Sequence, residues 1–102
     1  MQIQTSNSDG KAVITLRGRF DFNDNRAFKA AYDPLIQLAE VKLLEIDLAG
    51  IEYLDSSALG MLMLLRERVQ AVGKTVVLCK PNPTVTQILD IANFKKLFTI
   101  NS

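Results

Sequence analysis

Two short apolar runs, Leu43-Leu44-Glu45-Ile46-Asp47-Leu48 and Val76-Val77-Leu78-Cys79, enclose a helix-length segment from Ser56 to about Val72. Apolar runs this short, bounded by turn residues such as Ala49-Gly50, have the profile of strands buried between helices. Asp55-Ser56-Ser57 opens the segment with side chains that accept hydrogen bonds from the orphan N–H groups of a first helical turn, so Asp55 or Ser56 is the expected cap. Gly73 closes it, because glycine tolerates a positive φ just past a helix end. Strand, helix and strand in this order imply parallel pairing through a right-handed crossover.

The flanking sequence extends that unit. Ile3 to Ser6 reads as a weak strand, Asp9-Gly10 as a turn and Ala12 to Leu16 as a stronger strand ended by Gly18, which together predict a hairpin. Phe20-Asp21-Phe22-Asn23 crosses into a helix that Asn23 or Asp24 is expected to cap. Helical spacing follows in Ala27, Phe28, Ala31, Leu35, Leu38 and Ala39. Pro34 lacks a backbone donor and predicts a kink or restart after Asp33, with the break near Tyr32. Asn82-Pro83 starts another helix whose core face is Val85, Ile88, Leu89 and Ala92, and Leu97 to Ile100 is a last strand. The expected fold is α/β: one domain over residues 1–102, with a mixed sheet of four to five strands, an N-terminal hairpin and three to four helices.

Composition removes several function classes. The 102 residues are 48% hydrophobic, enough for one packed core, and twelve basic against eleven acidic residues are scattered to a net charge of +1. That balance leaves no electrostatic footprint for nucleic acid or anionic lipid. Cys79 stands alone, so no internal disulfide forms, and its apolar strand points to an inert core thiol. With no histidine, the commonest zinc ligand and the commonest general base are both missing. Met1-Gln2-Ile3-Gln4 lacks a basic-then-apolar leader, and the apolar run Ala58 to Leu65 is far short of the ~20 residues of a membrane helix. A soluble cytoplasmic protein is the expectation.

The central helix carries two stripes. At ~100° per residue, Ala58, Leu62, Leu65, Val69 and Val72 form one line, assigned to the core. Ser56, Gly60, Met63 and Glu67 form a second on the opposite side, flanked by Leu59 and Leu64. Gly60 costs ~1 kcal/mol relative to alanine inside a helix, which is easier to understand if another backbone or a partner approaches there. Met63 adds a soft, adaptable contact. The plainer alternative is that a neighbouring helix covers Leu59 and Leu64, Gly60 serves helix packing and Ser56 is only a cap. Against it, two consecutive hydroxyls exceed what one cap requires, and Met63 occupies a position suited to a solvated residue.

Ser56 has no base to activate it as a nucleophile, and neither Gly-x-Ser-x-Gly nor Ser-x-x-Lys surrounds it. Asp47 and Asp55 lack an obvious third ligand for a metal, and no phosphate-cradling glycine loop is present. No cofactor is expected. As a phosphoacceptor, by contrast, Ser56 fits: a phosphoryl group adds about −1.5 to −2 charges, tolerated by a helix N-terminus and costly on an apolar contact surface.

Asp55-Ser56-Ser57-Ala58-Leu59-Gly60 resembles the phosphorylation-site motif of bacterial anti-sigma factor antagonists, single-domain members of the STAS family. Leu16-Arg17-Gly18-Arg19-Phe20-Asp21, Leu44-Glu45-Ile46-Asp47-Leu48, Gly73-Lys74 before Val76-Val77-Leu78, and Val85 through Phe98 extend the resemblance over nearly the whole chain. It implies that the unphosphorylated protein binds an anti-sigma factor that is also a GHKL-type serine kinase and frees a sigma factor. Phosphorylation ends that binding and a PP2C-type phosphatase restores it. Ser56 takes the place of the phosphorylated serine, and Asp21, Asp55, Ser57, Leu59, Gly60 and Met63 are the expected partner-binding residues, with Asp21 and Asp55 equally readable as turn caps. Ala58 stands where the family usually has glycine, which bears on how closely a partner approaches. The sequence stops at Ile100-Asn101-Ser102, where relatives often continue into another helix. A monomer or weak dimer is expected. Two alternatives remain: a STAS subunit of a transport or signalling assembly held by a constitutive contact, and a small nucleotide-binding protein.

Overall fold

The computed structural model describes residues 1–102. Strand β1 (Gln2–Ser8) turns into β2 (Lys11–Phe20), and a 3-10 turn (Phe22–Asp24) leads into α1 (Asn25–Ile36). Then come β3 (Leu43–Leu54), α2 (Ser56–Ala71), β4 (Thr75–Cys79), α3 (Pro83–Ile91), a second 3-10 turn (Phe94–Lys96) and β5 (Thr99–Asn101). The five strands lie in sheet order β1-β2-β3-β4-β5, with β1 antiparallel to β2 and every other pair parallel. The expected mixed sheet, hairpin and three helices are all present, and no helix follows β5 within residues 1–102.

The hairpin turns where Asp9 and Gly10 both take positive φ, 53° and 80°. Positive φ at both central residues matches the right-handed twist of the flanking strands, which is why an Asp-Gly pair closes a tight hairpin. From β2 onward each crossover steps one strand further in the same direction, so right-handed connections put all three helices on one face of the sheet. Ala12, Ile14 and Leu16 of β2, Leu44, Ile46 and Leu48 of β3, and Leu78 of β4 point into that layer. There they meet Phe28 and Tyr32 of α1, Ala58, Leu62, Leu65 and Val69 of α2, and Val85 and Leu89 of α3. Phe20, Phe28 and Tyr32 pack edge to face, with centroids 5.0 and 5.2 Å apart. The opposite face carries Val13, Thr15, Glu45, Asp47, Val77 and Cys79, with no helix over it.

Three expectations about element ends are corrected. Gly18 does not end β2, and Ala49-Gly50 is not a turn: both strands continue, and the pairing absorbs the extra length as bulges. Thr15 pairs with Asp47 but Arg17 with Gly50, and Gly18 pairs with Ile51 but Arg19 with Tyr53, so β3 gains one residue at each step. The buried positions Leu44, Ile46, Leu48, Ile51 and Leu54 therefore lengthen their spacing from two to three where the bulges reset parity. A Cβ on Gly50 would lie 3.0 Å from the Leu16 carbonyl oxygen, which only glycine avoids. Second, α1 runs through Pro34 to Ile36 with no break near Tyr32, which is mid-helix and buried; the proline removes one hydrogen bond only two residues before the helix ends. Third, β5 begins at Thr99 rather than Leu97, since Phe94–Lys96 coils first and Phe98 stacks on Phe94 at 5.2 Å.

Candidate functional site

The carboxyl ends of β2 and β3 are register partners at Phe20 and Leu54, so Asp21 and Asp55 leave the sheet side by side. The Asp55 N–H donates to the Phe20 carbonyl at 3.2 Å. Its backbone is extended, and its carboxylate accepts the Ala58 N–H at 2.8 Å, which makes Asp55 the cap of α2. Asp21 does the same for the 3-10 turn: its carboxylate accepts the Asn23 N–H at 2.9 Å while its own N–H donates to Asp24 at 2.9 Å. That reciprocal pair replaces the expected caps, Asn23 and Asp24. Both aspartates thus have a structural role, and α2 needs neither serine as its cap. Ser56 and Ser57 are both solvent-exposed.

Two shallow concavities flank this helix start. On the α3 side, Ser56 lines a groove with Tyr53, Leu59, Ile88, Ile91 and Ala92. On the α1 side, Ser57 lines another with Phe22, Asn25, Gly60, Met61 and Leu64. Their rims carry the exposed apolar side chains of this end of the molecule, Ile91 at 77% and Phe22 at 67% exposure, with Tyr53 and Leu64 more than a third exposed. The single contact stripe expected along α2 is therefore divided: Ser56 and Leu59 face one groove, while Gly60 joins Ser57 in the other. Met63 lines neither; it is half-buried against the core, as Leu59 is. A Cβ added at Gly60 meets nothing within 4 Å, so helix packing inside this chain does not call for the glycine. At the far end of α2, Val72 is 52% exposed rather than in the core, whereas Met61, left out of the expected stripe, is buried.

Ile91, Phe22 and Tyr53 are additions that sequence reasoning missed. An apolar residue off the core face of α3 was the available signal for Ile91, since Val85 and Leu89 already define that face.

The Asp47 carboxylate accepts the Ala49 N–H at 3.0 Å, and no three Cys, Asp or Glu side chains come together. Burial pushes the Cys79 thiol above its ordinary pKa, Glu45 pushes the same way, and a hydrogen bond with Asn101 opposes them. A thiol held protonated is a poor nucleophile at neutral pH. Burial likewise raises the Tyr32 hydroxyl, against the nearby Arg68.

Residues 3–99 match the family described as Mlab, STAS domain. The chain belongs to the STAS family. STAS domains are generally non-catalytic. A STAS-domain containing protein of Pseudomonas aeruginosa is 39% identical over 95 residues, spanning 92% of each chain. The anti-sigma F factor antagonist of Paenibacillus polymyxa is 24% identical over 100 residues, 98% of this chain and 86% of that protein. Among solved structures, the anti-sigma factor antagonist SpoIIAA in its unphosphorylated form superposes with a TM-score of 0.82 at 20% identity, covering 99% of this chain and 89% of that one. The phosphorylated form of SpoIIAA, from Bacillus, gives 0.75 at 19% identity, covering 99% and 92%. At those identities the likeness is one of fold. No helix of this STAS domain is long and apolar enough to cross a membrane.

Proposed function

We propose that this STAS domain is a phosphorylation-switched anti-sigma factor antagonist, with Ser56 as the phosphoacceptor. One observation carries the reading: Ser56 is exposed on the wall of an apolar groove while Asp55, not Ser56, caps the helix. With Ser56 unmodified, the groove and its rim bind a GHKL-type serine kinase that is also an anti-sigma factor, and the sigma factor or other output is released. The kinase transfers the γ-phosphoryl group of ATP to the Ser56 oxygen as its hydroxyl proton leaves. The dianion then sits against Tyr53, Leu59 and Ile91, where a partner would have to desolvate it, and the complex separates. The fold is untouched, because the first-turn N–H groups of α2 favour an anion and the Asp55 cap stays in place. A PP2C-type phosphatase returns the hydroxyl by hydrolysis. Asp21, Asp55, Ser57, Leu59 and Gly60 border the partner surface, whereas Met63, half-buried against the core, lines neither groove. The switch works in the cytoplasm without cofactor, nucleic acid or membrane.

The relatives named as anti-sigma factor antagonists support this reading, as does the existence of SpoIIAA in unphosphorylated and phosphorylated forms. The test is affinity for the partner kinase by calorimetry with wild type, Ser56→Ala and Ser56→Asp. Alanine is expected to bind like wild type and aspartate at least ~10-fold more weakly, with unchanged melting temperatures. Equal binding by all three, or phosphate incorporated on Ser57 instead, defeats the assignment and leaves a constitutive contact as the better account.

A further inference from the structure

Strand β1 is one edge of the sheet, hydrogen-bonded to β2 on one side and to nothing on the other. Its seven residues, Gln-Ile-Gln-Thr-Ser-Asn-Ser, include no charge, no proline and no glycine. Its register with β2 runs unbroken from Gln2 opposite Arg17 to Ser8 opposite Lys11, without a bulge. Every residue but Ile3 is exposed. Sheet edges are ordinarily blunted by lysine, proline, bulges, extreme shortness or a covering element, because a row of free N–H and C=O groups is a template for another strand. The opposite edge is short, β5 having three residues. Although α1 packs against the face of β1, no strand pairs with its outer edge, and the edge carries no lysine, proline or bulge.

We propose that β1 pairs antiparallel with β1 of a second copy about a two-fold axis at Thr5, joining two five-stranded sheets into one of ten strands. The proposal goes beyond the phosphorylation switch and does not rest on it. A second copy is favoured over an unrelated strand because this sequence is self-complementary in that register. Thr5 faces Thr5, Gln4 faces Ser6, Ile3 faces Asn7 and Gln2 faces Ser8, so no like charges meet. Paired threonines are favourable cross-strand neighbours, and the Gln and Ser side chains can exchange hydrogen bonds. The nearest like charges are Arg17, beside Gln2, and Lys11 of the other copy, beside its Ser8. They stand three strand spacings apart, ~14 Å, beyond the ~8 Å screening length at physiological salt. Because the Ser56 groove lies between α2 and α3, away from β1, the dimer carries two open grooves.

Sedimentation equilibrium from micromolar to millimolar protein tests the proposal. Wild type is expected to show a weak, concentration-dependent dimer. Thr5→Lys and Thr5→Asp each place like charges at the axis and are expected to raise the dissociation constant at least ~10-fold while melting like wild type. An equimolar mixture of the two variants is expected to dimerise again, as a heterodimer, since opposite charges then meet at the axis. A wild type that stays monomeric at millimolar concentration overturns the proposal. So does dimerisation of the two separate variants as strong as that of wild type, which would put the interface elsewhere.

Discussion

Ser56 and Ser57 are adjacent in the chain and open onto different surfaces. One step of ~100° around α2 turns the first toward α3 and the second toward α1. Six of the eight residues lining the Ser56 groove are hydrophobic, but only Phe22, Met61 and Leu64 of the six lining the Ser57 groove, where Asn25 adds a polar side chain. A phosphate is harder to desolvate against the first lining than against the second. The chemistry of a hydroxyl pair at a helix start is therefore decided by what the neighbouring helices bring beside it. Here the last helix, α3, makes the Ser56 side the greasier one.

A charge on each rim separates the two grooves with the largest effect. Ile91 and Phe22 are both well exposed, so Ile91→Glu and Phe22→Glu should leave the melting temperature within a few degrees of wild type. If partner binding is concentrated on the Ser56 side, Ile91→Glu should weaken it by ~30-fold, about 2 kcal/mol, the size of a hot-spot loss. Phe22→Glu should weaken it less than ~5-fold. Surface plasmon resonance against the partner kinase reads both. The reverse order would move the docking centre to the Ser57 side and take the carrying observation for Ser56 with it.

Met63, which lines neither groove, is expected to show a smaller effect. Read as a helical wheel, it belongs to the contact stripe, and Met63→Glu should then cost binding and spare stability. Its half-buried place against the core reverses that expectation. A glutamate there must either desolvate its charge or swing out and vacate packed volume, so unfolding by urea should show a loss of ~1–2 kcal/mol. Binding measured on the folded fraction should change little. A stable variant with weakened binding would return Met63 to the contact surface.

Much of the fold was legible because local chemistry and tertiary structure agree. Asp9-Gly10 demands a tight turn, Asn82-Pro83 a helix start and Gly73, at φ 74°, a helix end, and each is found there. The second half of β3 was illegible for a physical reason: two bulges change the inward spacing to three, and Ala49-Gly50 then imitates a turn. The caps at Asp21 and Asp55 were partly legible, since an aspartate before a helix is a cap on chemistry alone. The division of the helix start between two grooves was not. Helical periodicity reports which side of α2 faces away from the core; whether Leu59, Met63 or Leu64 is covered depends on α1 and α3, which arrive from distant sequence. Ile91 and Phe22 escaped for the same reason.

Gly60 gives the smallest effect and the most discriminating one. It lies in the second turn of α2, on the Ser57 side, and a Cβ there has open space on every side. Gly60→Ala should therefore stabilise the free protein by ~0.5–1 kcal/mol, through helix propensity and a less flexible unfolded chain, raising the melting temperature by a few degrees. A partner that lies over the backbone of α2 would meet the new methyl group directly, so binding should fall although the fold is firmer. A partner confined to the Ser56 groove would not meet it, and binding should be unchanged. Stability and affinity moving in opposite directions would show that the partner spans both sides of the helix start, with the Ser57 groove as its flank. A gain in stability with unaltered affinity would confine the contact to the side where Ser56 lies.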